Sequence, residues 1–354
     1  MAYVEILTAN GLTETKWNND IFTEYLGQLF WSPWMGSSSD SVIQVKDDLT
    51  KGAGDTLKLG LRGQMQGGKI TGNSKAKDNE GTVYFHSQSI VIDNVRHVIK
   101  IEDIPMSTKR VGFDLLTAAK EALQDKASRD LDAEITLQLC DSTARLAGRY
   151  LYGAATSNYS ATHATGLATV DATNDQLTTS MIDIAKRMAK LGLNATAKIR
   201  PMRVKVGKNN EEWYVFVGHT YPIRDLVNND AAFRNAQLLL PPNGANRDSI
   251  IFSGNSFKGS WNGTLIYDYE NITLETNTNS IQCAHNLLLG AQAGAVVWGQ
   301  RSKFGEEFSD IGHDVSYETH EIRGVDKMYF SSRTDGATAE DHGMIHVFSA
   351  SVAD

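Results

Sequence analysis

The stretch GQMQGGKIT, residues 63–71, sets Gly63, Gly68 and Lys69 at the spacing of a phosphate-binding loop, G-x-x-x-x-G-K-[ST]. Such a loop cradles phosphates with backbone N–H groups and needs a hydroxyl straight after the lysine to hold Mg²⁺. Ile70 stands at that position and Thr71 comes one step late. A working loop also leaves a buried strand and opens a helix. Here ITGNSKAKDNEGTVYF follows Lys69, with two further glycines and no helical stripe. The stretch therefore reads as the glycine-rich tip of a β-hairpin, with a nucleotide hydrolase using Lys69 as the rival.

Other chemistry-bearing residues give weaker patterns. His342 and His346 sit four apart in a β-like segment, which sets them about 13 Å apart on one strand face, too far to share a metal. On a helix the spacing would suit a metal. His86, His97, His219, His285, His313 and His320 show no partner spacing. Asp47–Asp48, Glu211–Glu212 and Glu306–Glu307 are adjacent pairs, and neighbours on a strand point to opposite faces, as solvated charges do. No nucleophile motif or dinucleotide fingerprint occurs, and no catalytic residue, metal or cofactor is expected.

Composition fits this. A chain of 354 residues with 41% hydrophobic and 21% charged residues has enough apolar content for extended cores. With 34 basic against 42 acidic residues the formal net charge is −8, which disfavours coating nucleic acid non-specifically. Cys140 and Cys283 are too few for a disulfide framework and suit a reducing cytoplasm. No signal sequence or membrane span is legible.

Charge placement is uneven. Six basic residues, Lys51, Lys58, Arg62, Lys69, Lys75 and Lys77, face Asp55 alone, whereas residues 306–341 carry ten acids against Arg323, Lys327 and Arg333. Two readings stand: two solvated faces, or a cationic hairpin that lies on an anionic surface of another copy.

The elements that would position these residues run as follows. An aromatic segment with Trp17, Phe22, Tyr25, Phe30, Trp31 and Trp34 is too short and polar to fold alone, so it packs on the rest of the chain or on a neighbour. Residues 56–102 alternate as strands around glycine. Pro105 closes that region, and Asp114 or Ser107 caps a helix of about 26 residues whose apolar positions, from Leu116 to Leu139, wind slowly around it. Helices are also expected at 181–191 (Met181, Ile184, Ala185, Met188 and Leu191 inward), at 221–239 and at 287–297, with strands at 202–206, 212–217, 264–267 and 272–275 and in the tail. Without βαβ alternation the class is α+β.

Asp47–Asp48–Leu49, Lys51, Gly54–Asp55–Thr56 before the hairpin and Arg96–His97 at its end, with FVGHTYPIRDLVNND, GVDKMYFSSR and DHGMIHVFSASV further on, resemble the major capsid proteins of tailed bacteriophages over most of the chain. The resemblance implies the Hong Kong 97-type capsid fold. Its parts would be an N-terminal arm (1–50), an extended loop (51–104), a peripheral domain with a spine helix (105–165), an axial domain (166–300) and C-terminal strands completing the peripheral domain (301–354). It implies hexamers and pentamers of identical subunits in an icosahedral head around double-stranded DNA. A separate scaffolding protein, a portal, an optional decoration protein and assembly in the host bacterial cytoplasm are expected with it. Trp17, Trp31, Trp34, Lys58, Arg62, Lys69, Lys75 and Lys77 are the candidate intersubunit contacts. A tail or decoration protein is the remaining alternative, and it offers no reason for the long winding helix.

Overall fold

The computed structural model describes residues 30–50, 54–63, 65, 67–111, 114–142, 145–206, 209–239, 256–331 and 338–352. The winding stripe forms one helix, Leu115–Leu139. Asp114 caps it, its Oδ1 accepting from the N–H groups of Leu116 (3.1 Å) and Thr117 (3.2 Å). Ala119, Leu123, Ala127, Ile135 and Leu139 are buried, so the stripe meets different neighbours along its length. A short helix, Ile104–Arg110, precedes it, with Pro105 in the first turn, where a missing N–H costs no bond.

The chain divides into two units. The smaller unit holds the described parts of residues 94–131 and 301–321. Its core joins Ile101, Ala119, Leu123, Val315 and Tyr317, with Ile99, Ile104, Leu115 and Leu116 packed around them. Lys120 Nζ lies 4.6 Å from the centre of the Tyr317 ring, a cation–π contact that covers the helix side.

The larger unit holds the described parts of residues 30–93, 132–300 and 322–354. Its main sheet runs in the order Tyr150–Tyr152, Met344–Ala350, Gln282–Leu289, Asn209–Gly218, Thr264–Asp268 and Phe257–Trp261. Leu274–Thr276 pairs with Gln282–Leu289, and Met202–Val206 with Asn209–Gly218. Alternation assigns the two faces. Leu288, Ile345 and Val347 meet the helix Thr179–Leu191, whose Met181, Ile182, Ala185 and Met188 point inward. Cys283, Phe348 and Ala350 meet Tyr150, Tyr152, Leu167 and Val170. Covered on both sides, the central strands are buried at almost every position. Met35–Gly36 also pairs with Ile43–Lys46, and Ile43–Lys46 with residues 294–297.

Several expectations need correction. Residues 287–297 are not a helix: Gln282–Leu289 and Gly294–Ser309 are strands, and a short apolar run fits either element by periodicity. The helix expected over 221–239 is two, Thr220–Asn229 and Ala231–Leu239. Asp230 ends one and caps the next, its Oδ1 accepting from Ala232 and Phe233, while its Oδ2 takes the N–H and hydroxyl of Thr179. On Thr179–Leu191 the buried face includes Ile182 and Ala189, and Leu191 is exposed. Met344–Ala350 lies between Gln282–Leu289 and Tyr150–Tyr152 in the larger unit.

Trp31 is 0% and Trp34 4% exposed, so both pack in the subunit's own core. Asp132 fixes the segment by accepting from the N–H groups of Phe30 (3.2 Å) and Trp31 (2.9 Å) and from the Tyr269 hydroxyl (2.6 Å). Trp31 Nε1 donates to Thr136 Oγ1 at 2.8 Å, and Trp34 packs edge-on to Tyr267. Trp17 and Lys51 lie outside the described residues.

Candidate assembly surface

The residues first weighed as a phosphate loop sit on a projecting β-finger. Thr56–Arg62 pairs antiparallel with Phe85–Val91, from Thr56 opposite Val91 to Arg62 opposite Phe85. Gly63 N–H adds one more rung to Tyr84 O at 2.8 Å. At the tip two backbones nearly touch: a Cβ on Gly67, at φ 145°, would lie 2.7 Å from Gly81 Cα. Only glycine tolerates both that angle and that approach. No helix lies between Lys69 and the strand Phe85–Val91, so no helix N-terminus faces a phosphate there. The phosphate-loop reading fails on geometry.

The base of the finger is anchored to its own unit. Gln88 is buried and uses its whole amide: Nε2 donates to Asp326 Oδ2 and Lys327 O, both at 2.8 Å, and Oε1 accepts from Tyr329 N–H at 2.8 Å. Ile90 packs with Met328 and Phe330, and Leu57, Leu59 and Leu61 lean on the same cluster. Gly324 lets this base approach, since a Cβ there would stand 2.2 Å from Val91 O.

Beyond the base the finger is solvent-exposed along its described length. Lys58, Arg62, Lys69, Lys75 and Lys77 are all exposed, and none is held in an ion pair among the described residues. Apolar side chains share the exposure: Met65 is 70%, Tyr84 48% and Phe85 74% exposed. Isolated exposed apolar residues are ordinary, but here they share one ribbon with the lysines.

The acidic tail does not form one matching surface. Asp314 is held by Lys100 at 2.9 Å and Glu318 by Arg96 at 2.5 Å, pairings that hold both carboxyls below the usual range. Glu321, Glu340 and Asp341 are buried, and burial pushes the Asp326 carboxyl up. Of the described acids in this stretch, Glu306, Glu307 and Asp310 stay exposed. They accompany Phe304, Phe308 and Ile311, which are also exposed; Ile311 is a β-branched residue held at φ 54°. Sequence counting missed this mixed apolar and acidic tip because it weighed charges and not exposure.

Histidine pairing was also missed. His285 Nε2 lies 2.6 Å from His346 Nδ1 across adjacent strands, and His163 Nε2 lies 2.6 Å from Glu275 Oε2. Among the described residues no group of three or more histidine, cysteine or carboxylate side chains is arranged to hold a metal ion.

The family model described as "Phage capsid protein" matches residues 6–353, and the chain belongs to that family. No curated protein matches it. Among solved structures it is similar to the cyanophage Pam1 capsid asymmetric unit, with TM-score 0.83, 24% identity and all of both chains covered. It is similar too to the capsid of Ralstonia phage GP4, with TM-score 0.77, 21% identity and 99% of each chain covered. The capsid of Helicobacter pylori bacteriophage KHP30 matches with TM-score 0.70 and 14% identity over 98% of this chain and 100% of that one. The protein is thus an α+β major capsid protein, a structural component of the phage virion.

Proposed function

We propose that the subunit forms hexamers and pentamers of an icosahedral head enclosing double-stranded DNA, and that residues 51–104 reach onto an identical neighbour. The observation that carries this is the finger itself: its base is fully hydrogen-bonded by Gln88, while its cations and its Met65, Tyr84 and Phe85 side chains are left to solvent. Lys58, Arg62, Lys69, Lys75 and Lys77 supply the contact, and Glu306, Glu307 and Asp310 with Phe304 and Phe308 offer a complement of suitable charge and polarity. Residues 1–50 act as an arm. The role is non-catalytic, assembly takes place in the host bacterial cytoplasm, and a separate scaffolding protein and a portal take part, with DNA contacted weakly in keeping with the net charge of −8.

Negative-stain microscopy of the purified chain, alone and with its phage's scaffolding protein, tests the reading. Closed shells are expected. A monodisperse monomer in every condition, with residues 63–84 protected from exchange, would overturn it.

A further inference from the structure

One face of the main sheet holds a file of ionisable side chains that no assembly contact accounts for. Tyr152 Oη lies 2.9 Å from His163 Nδ1, and His163 Nε2 lies 2.6 Å from Glu275 Oε2. The other Glu275 oxygen, Oε1, is 3.6 Å from His285 Nδ1. His285 Nε2 meets His346 Nδ1 at 2.6 Å, and His346 Nε2 meets Asp341 Oδ2 at 3.1 Å. Lys327 Nζ closes the file, 2.9 Å from Asp341 Oδ1 and donating to Asp141 O at 2.6 Å. His285, His346, Asp341 and Lys327 are all 0% exposed.

Counting protons exposes a defect. Glu275, His285, His346 and Asp341 enclose three gaps, yet two neutral imidazoles carry two N–H groups between them. With both carboxylates ionised, one gap must stay empty. The distances locate it. His346 donates to Asp341, His285 Nε2 donates to His346 Nδ1, and His285 Nδ1, without a hydrogen-bond partner, faces Glu275 across the long gap. A metal bridging the imidazoles is excluded by their spacing, because each nitrogen would need about 2.0–2.1 Å to the ion.

We propose that this file is an acid-triggered switch in the subunit: one added proton closes the Glu275–His285 gap, and a second sets two N–H groups against each other and parts Gln282–Leu289 from Met344–Ala350. The surroundings oppose the second proton. Tyr150 stacks on His346 and Phe348 packs on His285, each at 4.3 Å between ring centres, so water cannot solvate the new charge in place. Lys327 adds a cation at one end, Arg145 lies over Tyr150, and Arg149 faces Glu340 at 3.8 Å. His342 follows Asp341 in the chain and is itself buried away from its charged form. Asp141 and the inert thiols of Cys140 and Cys283 complete the lining, both thiols raised by burial.

Burial holds His285 below its ordinary value and drives His346 down to about 4 despite Asp341. Burial works the other way on Glu275 and Asp341, but the facing histidines keep both carboxyls low. Unfolded histidine titrates near 6.5, above both buried imidazoles, so the unfolded chain takes up more protons as pH falls. The stabilisation is complete above about pH 6.5 and is lost progressively toward about pH 4.

Hydrogen exchange of the full chain at about pH 7.5, 6.5 and 5.5, corrected for intrinsic rates, reads the switch. In residues 282–289 and 344–350 the opening constant should rise below about pH 6.5 by about tenfold per pH unit for each proton taken up. His346→Gln should reduce that slope by up to about tenfold per pH unit. Should the variant fail to fold, histidine-selective NMR of the wild type decides: two imidazoles staying neutral through about pH 6 support the switch. Ordinary titration of all histidines with undiminished ladder protection at about pH 5.5 overturns it, as does an unchanged slope in folded His346→Gln.

Discussion

The finger and the central ladder are both antiparallel strand pairs, each with seven registered residue pairs, and they treat their side chains in opposite ways. In the ladder every residue of Met344–Ala350 is buried and even its histidines are enclosed. In the finger only Gln88 and Ile90 are buried, both at the base, and the far end presents lysines, Phe85 and Tyr84 to water. Backbone pairing alone therefore does not decide where stability resides. The ladder completes its contacts within one chain; the finger keeps its hydrogen-bonded form but leaves its surface to solvent.

Perturbations should separate these two designs. The largest loss is expected at the ladder. Phe348→Ala removes a ring stacked on Tyr152 and tilted against His285 and should cost about 3–5 kcal/mol in denaturant unfolding, with few soluble particles formed. At the junction, Gln88→Ala strands the buried partners of three hydrogen bonds and should cost about 1–3 kcal/mol, with exchange quickening first in residues 56–62 and 85–91. Ile311→Gly relieves a left-handed β-branched residue and should raise stability by about 1 kcal/mol in the same assay. Least of all, Lys69→Glu with Lys75→Glu should shift the stability of the free subunit by under about 0.5 kcal/mol. It should nevertheless lower the yield of shells more than Glu211→Lys with Glu212→Lys; equal yields would mean that the finger's cations are merely solvated.

What could be read from sequence follows from the range of the forces involved. The long helix was legible because its stripe and its Asp114 cap are local patterns, and its observed span, Leu115–Leu139, falls close to the expected one. The strands at 56–62 and 85–91 were legible from alternation and glycine, both local again. Gln282–Leu289 was misjudged because a strand covered on both faces loses its period of two. The Trp31 environment depends on Asp132 and Tyr269, far along the chain, so an aromatic cluster could not reveal whether it faced its own core or a neighbour. The same holds for His285 and His346, sixty-one residues apart and invisible to any spacing rule. The acidic tail misled for a further reason: a charge count cannot see that Lys100 and Arg96 neutralise Asp314 and Glu318.

The central claim is that the finger is completed by another subunit, and hydrogen exchange compared between free subunits and assembled shells tests it most directly. The account predicts that amides of residues 67–84 exchange freely in the subunit and become protected on assembly, while residues 282–289 are protected in both at neutral pH. Equal protection of residues 67–84 in the two states would contradict it.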